Sequence, residues 1–519
     1  MKRILSILVA LMVCALPLMA CAEERATGVI DEISVSVSSD VSSLAPYAAA
    51  STGRQSVLPT LYEYLAYYDA ESETGIRGIL MKDYTALDED TYRITIYDYI
   101  YDSAGNHITA EDVAYCFNTY HDLGISGLAY LMSACEVVDE YTVDLTIGTT
   151  QTGMFENIIC GQVPIVSKEA YEGSPDEMAN EPVSTSPYLV TEYISGSRIV
   201  CEKNPNYWQK DDSLINDVSR ANANKITFHI ITEASQVSIN LETNAIDIAQ
   251  KMTTIEANRF ISGESTEGFT VYASDDPNLY VMFFNMSDNS VFKGNLDLRQ
   301  AICYAIDLNG VVQGATNGSA SAAKAMGNRM CVDYNPAWDE QDYYDYDLNK
   351  AKELLSSSGF DTSITLRVLT ASTPTNQTIA QIVQAYLGQI GIKAELNICD
   401  SALFKTNIDD PTAWDLCIDT RMSNDYVTTL SSILAPYNGK TPVSFVEDEA
   451  YGKLALAASS SSTHSPETVE AYMQYTKDTV YVYALMTLKN FYITNDKVAD
   501  VFVNYKGLIV PGACTFYAE

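Results

Sequence analysis

S-P-Y-L-V-T-E-Y, Ser186 to Tyr193, runs a short way ahead of K-N-P-N-Y-W, Lys203 to Trp208. Asn204-Pro205-Asn206 reads as a turn, since proline presets φ and asparagine hydrogen-bonds its own backbone, and it delivers Tyr207 and Trp208 into a core. Outward from this pair, period-two alternation predicts strands at Ile33 to Ser38, Tyr92 to Tyr97, Tyr141 to Ile147, Lys225 to Ile231 and Tyr280 to Phe284. Thr109 caps a helix whose Val113, Cys116, Phe117 and Tyr120 share one face. Asp347 to Ser356 reads as a helix stopped by Gly359. Gln377 to Gly391 is a longer amphipathic helix, and Ser465-Pro466 opens another by the N-cap and N1 rule. Strands and helices alternate irregularly and without repeats, which predicts α/β lobes rather than a barrel or sandwich.

At the N-terminus, Lys2 and Arg3 precede an apolar run from Ile4 to Met19, the pattern of a secretory signal over residues 1–20. Two cleavages are open. Leu18-Met19-Ala20 before Cys21 has the form of a lipoprotein signal, with Cys21 lipidated; Ala20-Cys21-Ala22 also fits ordinary A-x-A cleavage. No later stretch has the length and apolarity of a membrane span. The expected location is the cell surface through a lipid on Cys21, the alternative a secreted or periplasmic protein.

With 519 residues, 47% of them hydrophobic, the chain has material for two or three lobes. Its net charge of −37 argues against a nucleic-acid partner, because phosphate binding needs the opposite sign. Nine of the eleven cysteines follow Cys21 and form no C-x-x-C pair, so they read as small buried apolar residues and signal neither a zinc site nor a disulfide framework. His107, His121, His229 and His464 are scattered, and no phosphate loop, dinucleotide fingerprint or nucleophile elbow occurs. Acid pairs such as Asp275-Asp276 and Asp409-Asp410 read as solvated loop carboxylates. No catalytic residue, metal or cofactor is expected.

A series of segments, in order, resembles the family-five extracellular solute-binding proteins, the dipeptide, oligopeptide and nickel receptors of ABC importers. L-Y-E-Y-L from Leu61 is similar to L-Y-E-G-L, with Tyr64 in place of glycine. D-S-A-G-N-H-I-T-A-E-D-V from Asp102 resembles D-G-x-x-x-T-A-E-D-V, and the two opening segments resemble G-P-Y-x-L-x-x-W and R-N-P-x-Y-W. N-A-I-D-I-A from Asn244, F-F-N from Phe283, L-R-Q-A-I-C-Y-A-I-D from Leu298, Y-D-Y-D-L-N-K-A-K-E-L-L from Tyr344 and K-G at Lys506 complete the series. The resemblance spans about residues 33–519.

The resemblance implies a periplasmic-binding-protein-like fold, two lobes around a hinged ligand cleft with an extra inserted lobe. The first lobe would combine 28–60, 187–284 and 490–519, the extra lobe would take 61–186, and the opposing lobe 285–489. It implies a non-enzymatic receptor, a monomer that captures a short peptide by hinge closure and hands it to an ABC permease. In the family, an acid in a G-W-x-x-D segment takes the ligand ammonium. Here R-M-S-N-D-Y places Asp425 at that position, with Arg421 and Met422 replacing Gly-Trp and Tyr426 following. Arg421 has the geometry to hold a ligand carboxylate through two parallel bonds, and Tyr47 and Ser51 lie in the first cleft-facing loop. Other readings are the same fold with a nickel chelate, haem or oligosaccharide, or a peptide sensor or chaperone without import.

Overall fold

The computed structural model describes residues 25–48, 52–69, 72, 74–125, 129–252, 254–261, 267–341, 343–422, 426–427 and 443–518. Cys21 and the signal segment, Ser51 and Asp425 lie outside the described residues, as does the side chain of Met422.

An 11-stranded mixed sheet organises the chain. Its strands are β1 (Ile30–Val37), β2 (Tyr188–Ile194), β3 (Arg198–Lys203), β4 (Ala223–Ile230), β5 (Ile248–Met252), β6 (Thr270–Phe284), β7 (Ser321–Ala322), β8 (Thr365–Ala371), β9 (Lys393–Cys399), β10 (Leu416–Met422) and β11 (Val482–Thr494). They run in the order β9-β8-β10-β6-β11-β5-β1-β4-β3-β2, with the short β7 on β11. β1 pairs parallel with β4 and β5, and β8 with β10 and the edge strand β9. β6 extends ten residues further back than alternation from Tyr280 predicts. Its first half pairs with β11 but is exposed or half-buried, and Asp275-Asp276-Pro277 separates it from the buried Leu279–Phe284 run, so the apolar pattern breaks where the strand continues.

Two large cores lie along this sheet. One gathers Ile33, Val35, Tyr62, Phe117, Leu145, Phe228 and Phe516, and so draws residues 30–230 and the C-terminal segment into one continuous cluster. The other gathers Phe283, Ile302, Val368, Trp414, Tyr451 and Tyr483. β6 and β11 contribute to both sides: Leu279–Phe284 and Val482–Met486 pack in the second core, whereas Tyr272 and Tyr492 pack on the first. In the first core a four-stranded antiparallel sheet, Met81–Ala86, Thr91–Ile96, Thr142–Ile147 and Met132–Asp139, lies against the helix Ala110–Leu123.

Local chemistry sets the helix ends. The Asp112 carboxylate accepts the Thr109 N–H at 2.8 Å, and Gly124 takes a left-handed φ of 58° at the other end. Asp347 caps Leu348–Ser357 and Ser465 caps Pro466–Thr479. The helix predicted from Gln377 spans Pro374–Gln389 instead, because Thr373 accepts the Asn376 N–H and Pro374 supplies N1.

Candidate functional site

β6 and β11 pair in register from Thr270↔Thr494 to Asp275↔Lys489, then resume at Leu279↔Thr487. Asp276, Pro277 and Asn278 are the residues in between. Proline cannot donate to a ladder, so the interruption falls on it, and such bulges re-aim the neighbouring side chains. Asp276 accepts the Asn278 N–H and side-chain amide on one oxygen, and its carbonyl accepts from Asn328 at 2.6 Å.

This bulge forms one wall of a cavity of about 540 Å³. The volume is within the range of small-molecule sites, roughly 300–1,000 Å³. The cavity is lined also by Tyr62, Tyr64, Tyr67, Tyr68, Tyr120 and Tyr505. Tyrosine suits a wall that must be apolar in body and wet at the tip. Tyr64, the residue that departs from the family's glycine, belongs to this wall, and burial pushes its phenol up to about 12.

Charged side chains on the cavity are Arg54, Glu63, Lys251, Asp276 and Lys506. Arg54 donates to the Ala45 and Pro46 carbonyls, and Lys506 to the Gly161 carbonyl at 2.7 Å. Glu63 is buried and accepts from Tyr207 at 2.7 Å, Trp208 at 2.9 Å and Ser219 at 2.9 Å. Desolvation holds its carboxyl above the usual range, while those donors pull it down.

The residues singled out from the sequence separate into three places. Met422 ends β10 opposite Asn278, so its backbone runs beside the cavity wall. One turn of the pleat earlier, Arg421 pairs with Asp419 at 2.6 Å and lies over the Phe283 ring at 5.3 Å. Burial raises the Asp419 carboxyl although Arg421 opposes it. Tyr426 lies elsewhere, edge-on to His464 at 5.3 Å and against Gly153. Here residues from the two cores meet: Gln151 bridges Ser460, the Thr152 N–H donates to Ser459 at 2.7 Å and the Ser461 N–H to Thr150 at 2.7 Å. Tyr47 is buried, its hydroxyl donating to the Pro164 carbonyl at 3.0 Å, and the loop reaches the cavity through Pro46 and Ala48. Lys251 was not singled out, and Asp276, read from the sequence as a solvated loop carboxylate, instead lies half-buried in β6 on the cavity wall, because its strand pairs with β11 on either side of the bulge. The Asp-Pro step interrupting an otherwise strand-like run is the signal that could have found the bulge.

Among the described residues no cluster of His, Cys, Asp or Glu has the makings of a metal site, and no helix is long and apolar enough to cross a membrane. All nine described cysteines are buried and unpaired with one another.

The model of the bacterial extracellular solute-binding proteins, family 5, matches residues 75–444. The chain belongs to this family. It is similar to heme-binding protein A of Haemophilus influenzae, 24% identical over 309 residues, 55% of this chain and 53% of that protein. It is similar also to the glutathione-binding protein GsiB of Salmonella typhimurium, 24% identical over 379 residues, 71% of this chain and 70% of that one. The fold matches HbpA2 of Haemophilus parasuis (TM-score 0.82, 17% identity, 94% of this chain and all of that one). It matches the ABC transporter substrate-binding protein CtaP of Listeria monocytogenes (TM-score 0.77, 20%, 95% and all). A dipeptide-binding protein from Pseudoalteromonas in complex with Met-Leu also matches (TM-score 0.69, 17%, 94% and all). The family is one of solute-binding receptors, and the mixed α/β architecture with its strands crossing between two cores is that of its solved members.

Proposed function

We propose that this protein is the peptide-capturing receptor of an ABC importer, binding short peptides one to one without altering them. The observation that carries this is the tyrosine-walled, charge-bearing cavity at the β6 bulge, where two long strands pass from one core to the other. Bending at such a crossing draws the lobes together, and ligand favours closure through contacts it makes better in the closed state. The lobes would be 28–60 with 187–284 and 490–519, the inserted 61–186, and the opposing 285–489. A peptide suits the site because its termini need opposite charges and its amides need polar, wet walls. The relatives that carry glutathione and Met-Leu in their names support the same ligand class.

In this reading Asp425 takes the ligand ammonium, the strand end at Arg421 and Met422 forms one side of the cleft, Tyr426 belongs to the seam against Gly153, and Ser51 belongs to the other side of the cleft, its loop held from behind by Tyr47. Cys21 would carry the lipid that keeps the receptor at the membrane beside its permease. The test is native mass spectrometry of purified protein incubated with a tryptic casein digest. Bound peptides, released by denaturation, should have unchanged masses; cleaved products, or no peptide retained from the digest, would overturn the reading.

A further inference from the structure

Lys251 is the cavity's unengaged cation. Arg54 and Lys506 hold backbone carbonyls, but the Lys251 ammonium makes no ion pair and no hydrogen bond among the described residues. It is half-buried, and desolvation lowers its pKa while the nearby Asp276 raises it. A half-buried ammonium that no side chain neutralises leaves its charge available to an anion entering the cavity.

The backbone is built to present it. Pairing between β5 and β11 shifts register between Ala249 and Met252, so Lys251 stands in a bulge. Its φ of 51° is left-handed, a conformation disfavoured for a residue with a side chain. The preceding residue holds the chain there: the Gln250 N–H and side-chain amide are bound to the Ser36 hydroxyl and carbonyl at 3.3 and 3.0 Å. Strain that the surroundings over-determine, on a residue facing a cavity, points to a role for the side chain.

We propose that the Lys251 ammonium receives the free carboxylate of the captured ligand, so that the cavity selects ligands carrying one. This rests on the receptor reading. The protein's net charge of −37 repels anions at long range, so a ligand carboxylate needs a cation placed at the point of contact. Lysine meets it as a point charge with three donors, tolerant of several carboxylate orientations. Asp276, near Lys251 on the same cavity, disfavours a second carboxylate beside the first.

The test uses immobilised full-length protein, a tryptic casein digest, and the same digest with its carboxyls amidated, with retained peptides quantified by mass spectrometry. Wild type should retain the free-acid peptides about ten- to a hundredfold better than their amides, the ratio for one charge-assisted hydrogen bond. Lys251→Asn, chosen because asparagine tolerates a left-handed backbone, should bring the two digests to parity by losing the acids. Lys251→Arg should restore the preference. Equal retention of both digests by wild type, or an undiminished preference in the Asn variant, would overturn the role of Lys251 and leave the receptor reading intact. Retention of neither digest by wild type would bring down both.

Discussion

The indole N–H of Trp208 donates to Oε2 of Glu63 at 2.9 Å, across 145 positions of chain. On the other carboxylate oxygen Glu63 accepts the hydroxyls of Tyr207 and Ser219. L-Y-E-Y-L and K-N-P-N-Y-W are therefore two halves of one buried polar cluster, and their joint presence in the sequence has a physical cause.

That cluster gives the first prediction. An indole N–H only donates, whereas hydroxyls donate or accept. Glu63→Gln can offer its carbonyl to Trp208 and its amide to rotated hydroxyls, so in urea unfolding it should stay within about 1 kcal/mol of wild type at pH 4. Glu63→Leu strands three groups and should lose at least about 3 kcal/mol. The pH dependence has a definite sign. Burial raises the folded carboxyl above its ordinary 4.5, so this contribution is complete below that value and is lost as pH rises through the folded pKa. Wild type should therefore lose ground to the Gln variant between pH 4 and 7; a constant gap would refute the buried-carboxyl account.

The cysteines give a second. Desolvation pushes the thiols of Cys116, Cys135 and Cys514 up to about 12, and all nine described cysteines are buried. A reaction with Ellman's reagent should find less than one fast thiol in the folded mature protein and nine in guanidinium. Fewer than nine after unfolding without reductant would reveal a disulfide.

Gly153 gives a third. Its φ of 77° places it against Tyr426, where a Cβ would fall 2.0 Å from the ring. Gly153→Val should push apart the contact between 150–152 and 459–461, enlarging the radius of gyration in X-ray scattering. The population shift should weaken peptide binding about three- to tenfold. Tyr426→Ala in the same background should recover the compact radius in part, since valine at this left-handed φ stays strained; no recovery at all would mean that the ring contact does not set the radius.

Most of the fold was legible because its signals are structural. Asp247 of N-A-I-D-I-A accepts from Ser34, Asn495 and Lys497; Asn285 of F-F-N donates to Pro411 and Trp414; Arg299 of L-R-Q donates to Phe292 and Thr479. Each joins distant segments, so each is demanded by the architecture whatever the ligand. The cavity was not legible for the complementary reason. Lys251 and Asp276 acquire their setting from two bulges, and a bulge follows from the pairing of strands far apart in sequence, which local alternation does not record. Tyr47 illustrates the converse: its loop borders the cavity, but the tertiary packing of Tyr120 and Tyr171 draws the ring inward.

The membrane anchor is tested directly. Cys21→Ala should move the protein from the membrane fraction to the medium, since a pair of acyl chains holds firmly and a bare N-terminus does not. A wild type already in the soluble fraction would favour cleavage at Ala20-Cys21-Ala22.

The last prediction sets the ligand ammonium against Asp425. Met422 to Asp425 keeps the family's three-residue step from wall to acid, and the Met422 backbone runs beside Asn278 on the cavity. An ammonium-carboxylate contact in a closed, largely dry cleft is a charge-assisted hydrogen bond, and removing one partner leaves the other poorly satisfied. Asp425→Asn keeps the shape and removes the charge, so affinity for a peptide recovered from the purified protein should fall by about 2–4 kcal/mol, roughly thirty- to a thousandfold. N-acetylating that peptide should cost wild type a similar amount. The two changes remove the same interaction, so acetylation should matter much less in the Asn variant. Calorimetry on the four combinations separates the outcomes: additive losses would assign the ammonium to another residue, and no loss from either change would mean that the ligand's amine is not read at all. Because Lys251 is proposed to read the opposite terminus, Lys251→Asn and Asp425→Asn should by contrast combine nearly additively on a peptide long enough to hold its two charges apart.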